Sequence, residues 1–187
     1  TPRYCRISRL IRDIPATEIE NGNIITNLRE MLEYQLKKEG KHCECLRCRE
    51  IYRQKDKIDP DIEPQLFVDT YETIGGTEYF ISMEDKDRIA VYGFLRLRIP
   101  HSNGIPDSSP VVALKKILPE LQDAAFVREL HVYGQMIGIG KTKTIGSQHK
   151  GYGKKLMAEA ERIMKENNAH KLAVISGVGV RGYYEKR

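Results

Sequence analysis

No apolar run in the 187 residues approaches the ~20 needed for a bilayer-spanning helix, and the N-terminus carries no secretory h-region. Cysteine is scarce. Only four occur, and three of them, Cys43, Cys45 and Cys48, fall within six residues. That crowding speaks against a disulfide framework and for a metal site in a reducing compartment, so a cytoplasmic protein is expected. Glycine is missing where a common nucleotide motif needs it: Gly151-Tyr152-Gly153 is followed by Leu156 where a dinucleotide-binding G-x-G-x-x-G requires a third glycine, and no Walker A loop occurs. Internal repeats and low-complexity segments are also absent.

What is present is the composition of a globular protein, 40% hydrophobic and 30% charged. The length suits one substantial domain plus a small appendage. A net charge of +5 permits nucleic-acid binding, and its distribution matters more than its size.

Arginine recurs at every third position in Arg3, Arg6, Arg9 and Arg12, which places the guanidinium groups along one side of an N-terminal arm. Such a row suits phosphate contacts; the alternative is a solvated face with local ion pairs. Residues 27–39 are expected to form a helix, with Leu28, Met31, Leu32, Gln35 and Leu36 as its stripe, Arg29 and Glu33 facing water, Asn27 as N-cap and Gly40 as stop. The C-x-C-x-x-C of Cys43, Cys45 and Cys48 can converge on one tetrahedral Zn²⁺, which needs a fourth ligand. Cys5 and His42 are the candidates. Cys5 is preferred, because it would tie the arm to this knuckle while His42 is cramped beside Cys43. Three unligated thiols and an iron–sulfur cluster are the alternatives.

Residues 65–71, 78–83 and 89–98 read as an antiparallel meander of strands. Residues 100–123, with four prolines, read as a surface loop with a short helical turn near 114–118. Residues 124–133 are expected as a central strand and 134–147 as a glycine- and lysine-rich loop. A helix with Leu156, Ala160, Ile163 and Met164 on its apolar side should follow, then a strand at 172–175 and a helix from Arg181. At the loop-to-helix junction stands Gln148-His149-Lys150-Gly151-Tyr152-Gly153. Two glycines there let backbone approach a ligand closely, and the unpaired first N–H groups of the helix favour a phosphate, with Lys150, Lys154 and Lys155 adding positive charge. The alternative is a plain turn before an ordinary helix.

Gln148-x-x-Gly151-x-Gly153 resembles the acyl-CoA pyrophosphate loop of the GNAT acetyltransferases, and it lies in the expected order of strand, loop, helix and strand. Longer stretches narrow the resemblance: Arg9–Pro15, Asn27-Leu28-Arg29, Cys43–Arg49, Arg128-Glu129-Leu130-His131-Val132-Tyr133-Gly134, Gln148–Gly153 and Val174–Arg181. Together they resemble the family of the Elongator catalytic subunit and the archaeal tRNA uridine(34) acetyltransferases. The resemblance implies an α+β GNAT fold, a mostly antiparallel mixed sheet flanked by helices. It implies an acetyl-CoA-binding domain over residues 59–187, lacking its last strand, after a basic arm, helix and zinc-binding linker over residues 1–58. In that family a radical-SAM domain, with S-adenosylmethionine and a [4Fe-4S] cluster, precedes this region. Neither its motif nor its barrel is here and the chain does not begin with Met, so a piece of a longer protein is expected, with that domain and the tRNA anticodon region as partners.

The implied activity is acetyl-CoA-dependent modification of the wobble uridine at C5, of which this piece alone would bind acetyl-CoA and hydrolyse it with tRNA stimulation. The resemblance carries roles onto residues. Glu129, Leu130, His131 and Val132 would line the pantetheine through a strand edge. Gln148, His149, Lys150, Gly151, Tyr152, Gly153 and Lys154 would hold the pyrophosphate. Tyr184 would stand beside the thioester sulfur, where a phenol can protonate the leaving thiolate. Glu129 and His131 are the candidate bases, expected on opposite faces of their strand. Arg3, Arg6, Arg9 and Arg12 would contact tRNA, and Cys5, Cys43, Cys45 and Cys48 would hold zinc. The competing readings are a histone-type protein lysine N-acetyltransferase, which the basic arm opposes, and a non-catalytic tRNA-binding module.

Overall fold

Period-two alternation of apolar residues builds a single sheet. The computed structural model describes residues 1–8, 10, 15–59, 61–101, 118–133 and 151–185. Strands β1 (Gln65–Thr73), β2 (Gly76–Glu84) and β3 (Val91–Pro100) form an antiparallel meander. Strand β4 (Ala124–Val132) adds antiparallel to β3, and β5 (Lys171–Val174) adds parallel to β4, giving the order β1-β2-β3-β4-β5. Helix α4 (Tyr152–Glu166) makes the crossover that a parallel pair requires. Helices α1 (Leu28–Lys38), α2 (Leu46–Arg49) and α3 (Ile51–Gln54) precede the sheet, and α5 (Arg181–Glu185) follows it. This is the expected α+β architecture, with helix and strand positions within a few residues of those read from periodicity. Much of the expected 100–123 loop and all of 134–147 lie outside the described residues; β3 itself extends to Pro100, and Pro119–Leu121 forms a 3₁₀ turn.

The two faces of the sheet bury different things. On one, Leu156, Met157, Ala160, Ile163 and Met164 recur every three or four residues along α4 and pack on Ile81, Met83, Leu95, Leu97, Ala125 and Val127. Each large side chain so buried contributes roughly 1.5–3 kcal/mol. On the other, Phe80 and Phe94 lie with ring centroids 5.4 Å apart and enclose Leu46, the first residue of α2. The cysteine-bearing segment is therefore anchored in the sheet's second core. Helix α1 contributes no buried residue to either core.

A buried ion pair joins these parts. Arg49 (2% exposed) donates to Glu84 (0% exposed) at 2.7 Å, and Arg88 Nε donates to the same carboxylate at 2.9 Å. Arg88 reaches on to Asp69 of β1, and Arg49 also donates to the carbonyls of Glu44 (3.0 Å) and Arg3 (2.9 Å). Among the described residues, no helix is long and apolar enough to cross a membrane.

Removing one partner of such a pair leaves a buried charge uncompensated, which costs about 3–5 kcal/mol. Glu84→Ala should therefore lower the urea unfolding midpoint strongly, whereas Arg162→Ala, which breaks an exposed pair on α4, should leave it unchanged.

Candidate functional site

Strands β4 and β5 pair only from Ala124↔Lys171 to Val127↔Val174, with one further bond from the Ile175 N–H to the Val127 carbonyl at 3.0 Å. Strand β4 continues to Val132 while the chain after Ile175 turns away, so the two splay apart. At the splay the β3–β4 register slips: Arg96 faces Glu129 and Leu97 faces Val127, leaving Arg128 unpaired in a bulge. Bulges of this kind re-aim side chains and often border active sites.

Helix α4 begins against the same splay. Gly151 takes the left-handed conformation at φ 73°, which lets the chain turn sharply into the helix. Its carbonyl accepts from Lys154 and Lys155 at 2.9 and 3.1 Å, so the N–H groups of Tyr152 and Gly153 have no acceptor within the helix. At Gly153 a Cβ would lie 3.0 Å from Tyr183 Oη and 3.8 Å from Val132 Cγ2. The helix N-terminus, the end of β4 and Tyr183 thus converge. The Tyr152 ring is buried, and burial pushes its phenol up to about 12, so only its backbone is placed to meet a ligand. Gln148, His149 and Lys150 lie outside the described residues.

The candidate bases stand differently from expectation. Glu129 bonds to Arg96 at 3.1 Å, and Arg96 lies over the Phe80 and Phe94 rings; His131 stacks on Phe94 with centroids 5.9 Å apart. Both therefore project from the face opposite α4. Residues two apart in a strand share a face, so the expectation of opposite faces was wrong. Leu130 and Val132 point the other way, against the α4-side core. Tyr184 also packs against that core, while Tyr183 is the tyrosine whose hydroxyl lies at Gly153.

The three clustered thiols do converge: the Sγ atoms of Cys43, Cys45 and Cys48 all lie within 4.8 Å of one another. Tetrahedral thiolates at ~2.3 Å from zinc are ~3.8 Å apart, so the donor set fits the ion with a small contraction. Neither Cys5 nor His42 joins this group, and the His42 side chain is largely exposed. Cys5 is held nearby by its backbone, its carbonyl accepting from the Leu46 N–H at 2.9 Å. Burial resists ionisation of Cys45, but the N–H groups of Ile7 and Cys48 outweigh it and bring the thiol down to about 7; burial pushes Cys48 up to about 12.

Sequence reasoning placed Arg29 in water; the structure places it over the thiols. Its Nη2 lies 3.3 Å from Cys48 Sγ and 3.9 Å from Cys45 Sγ, its Nε donates to Glu33 at 2.8 Å and its Nη1 to the Ile7 carbonyl at 3.0 Å. Three thiolates on a divalent ion leave one negative charge, which this guanidinium offsets. The fold distance of sixteen to nineteen residues between these partners is what hides the contact from sequence.

Arg3 pairs with Glu44 and donates to the Arg88 carbonyl at 2.9 Å, and Arg6 pairs with Glu50 at 2.9 Å. Arg9 and Arg12 lie outside the described residues. The described arm arginines therefore serve as clips that fasten the arm to the knuckle.

The fold and site define a mixed-sheet α+β domain that carries a notch at a helix N-terminus and a cysteine-bearing N-terminal segment. No protein-family profile matches the chain. Over 99% of its length it is 44% identical to the tRNA uridine(34) acetyltransferase of Methanocaldococcus jannaschii, and over 98% it is 40% identical to that of Dehalococcoides mccartyi. It is likewise 40% identical over 99% of its length to Elongator complex protein 3 of Dictyostelium discoideum. A solved structure of Methanocaldococcus infernus Elp3 with an N-terminal deletion superposes with a TM-score of 0.77 at 39% identity, covering 100% of this chain and 42% of that one. The chain corresponds to a segment of the tRNA uridine(34) acetyltransferase and Elongator complex protein 3 family. It spans 33% of the M. jannaschii relative and 32% of the D. discoideum one.

The metal site yields a direct expectation. The purified chain should take up one Zn²⁺, competed for by a chromophoric chelator, and Cys45→Ser should abolish uptake. Arg29→Ala should weaken it by about 10–100-fold, the usual cost of losing an outer-shell partner. Affinity should weaken as pH is lowered, because the thiols must release protons to bind.

Proposed function

We propose that this chain is the acetyl-CoA-binding part of an enzyme that modifies the wobble uridine of tRNA at C5, in a longer protein whose radical-SAM domain supplies the carbon chemistry with S-adenosylmethionine and a [4Fe-4S] cluster. The observation that supports it is the convergence of the β4–β5 splay with the N-terminus of α4 at Val132 and Gly153. Acetyl-CoA supplies a thioester on a long amide-bearing arm with a pyrophosphate. Among the described residues the β5-side edge of β4 from Glu129 to Val132 is unpaired, and it would offer backbone donors and acceptors to those amides, as an added strand would. The backbone N–H groups of Tyr152 and Gly153, with Lys154 beside them, suit the pyrophosphate. Tyr183 and Tyr184 border the notch from α5, and either phenol would serve as the proton donor to a departing thiolate.

The acceptor side favours RNA over a protein lysine. Around Glu129 the face opposite α4 is lined by Arg6, Arg96 and Arg128, with Tyr4 stacked on Tyr71 at 3.9 Å. These guanidinium groups are held by Glu50, Glu129 and Glu78, so the preference rests on the stacked tyrosine rings, an aromatic surface that suits a base better than an ammonium-bearing peptide. The structural zinc would be held by Cys43, Cys45 and Cys48, with the fourth ligand drawn from Cys5 or His42 after a local rearrangement.

Acetyl-CoA turnover with and without tRNA tests the reading, and thioester cleavage should rise when tRNA is added. No binding of acetyl-CoA would overturn it. Gly153→Val, whose branched side chain has no room beside Tyr183 and Val132, should weaken acetyl-CoA binding about tenfold or more, about 1.4 kcal/mol, by calorimetric titration.

A further inference from the structure

Arg3 and Arg6, the described arginines of the arm, are held in internal ion pairs, so the free charge among the described residues lies elsewhere. A cleft of about 690 Å³ opens between α1, the cysteine knuckle, the segment after α3 and the β2–β3 turn. Seven basic and three acidic side chains line it. Three of the basic ones are neutralised in place: Arg3 by Glu44, Arg49 by Glu84 and Arg88 by Asp69 and Glu84. The other four, Lys37, Lys41, Arg53 and Lys57, are exposed on its walls. Of these only Lys41 has an ion-pair partner among the described residues, the exposed Glu39, which is not part of the lining.

We propose that this cleft is a binding track for the phosphate backbone of RNA, with Lys37, Arg53 and Lys57 as its principal contacts. The inference rests on the RNA-modifying reading above and assigns it a surface that neither the arm nor the acetyl-CoA notch provides. Several points of the structure support it. The free cations project from two elements, α1 and the α3 segment, on either side of the cleft, as a groove that follows a charged strand requires. Lysines act as mobile point charges and need no fixed geometry, so they can follow a flexible backbone. The walls are set by fixed chemistry: the metal-binding cysteines Cys43 and Cys48 line the base, and Arg49 ties that base to β2. Metal binding would thereby fix the spacing of the two walls. The track reads backbone alone, and base selection is left to other contacts.

The test compares two charge-matched double variants, Lys37→Ala/Lys57→Ala in the cleft and Lys165→Ala/Lys171→Ala far from it. Binding of an unmodified tRNA transcript is measured across a salt series. The cleft variant should bind more weakly at every sequence tested, and the slope of log affinity against log salt should flatten by about 1.4–1.8, the loss of two phosphate contacts. The distal variant should retain the parent slope. Arg53→Ala added to the cleft variant should flatten it again by about 0.7–0.9. All four side chains are exposed, so matching thermal melts will show that the variants are folded.

An unchanged slope in the cleft variant, with tRNA still bound by the parent, overturns the track and leaves the RNA reading standing. Equal weakening by the distal pair overturns it too, since general charge would then explain the binding. Absence of tRNA binding by the parent, with acetyl-CoA still bound, overturns both readings. Polyglutamate bound as tightly as tRNA, and displaced by it in the parent only through the cleft lysines, would reassign the cleft to an acidic protein partner.

Discussion

The Arg49–Glu84 pair is the constraint on which the rest of the structure depends. Arg49 follows Cys48 directly and reaches back to the Glu44 carbonyl, between two of the cysteines, so its position reports the shape of the knuckle. Its other bonds run to the arm at Arg3 and to β2 at Glu84. A buried ion pair of this sort adds little net stability over an apolar replacement, because desolvation offsets most of the attraction. What it contributes is registry. In the observed arrangement one guanidinium links arm, knuckle and sheet at the same time.

That registry divides the sheet into two working faces. The α4 face is apolar and carries the helix whose N-terminus meets the β4–β5 splay. The opposite face is roofed by the arm and by Leu46, and carries Glu129, His131 and Arg96. The first face offers backbone N–H groups at a helix start, and the second offers guanidinium groups already held by Glu50, Glu78 and Glu129. The bulge at Arg128 lies where the two meet. The arrangement therefore brings the helix N-terminus of one face and the polar side chains of the other close to one point of the sheet.

Arginines and lysines are divided between structural and available roles by burial rather than by spacing. Arg29, Arg49 and Arg88 are drawn inward, where planar guanidinium groups satisfy several acceptors at once, and Arg3 and Arg6 are held by acids of the knuckle. Lysines, more strongly hydrated, stay on the rim. The regular three-residue spacing of the arm arginines looked like a phosphate ladder, yet the two that are described pair with Glu44 and Glu50, more than forty positions away. Arg29 was misread for a related reason. On a helical projection it belongs with the polar face, and nothing in that projection shows thiols folding over it.

Much was legible in the residues themselves. Alternation located the five strands, three- and four-residue spacing located α1 and α4, and the tight Cys43-x-Cys45-x-x-Cys48 spacing was enough to bring three sulfurs together, since all of these are local properties of the backbone. The motif stretches pointed to the acetyltransferase family. Tertiary structure alone decided which residues meet across sequence distance: that Arg49 finds Glu84, that Tyr183 rather than Tyr184 lies at Gly153, that Glu129 and His131 share the face away from α4, and that Cys5 stands outside the thiol group. Local periodicity determines what a segment becomes, because each residue's rotation about the backbone is set by its neighbours. Which charges are buried and which remain free depends on desolvation and packing, and those exist only once distant segments have come together.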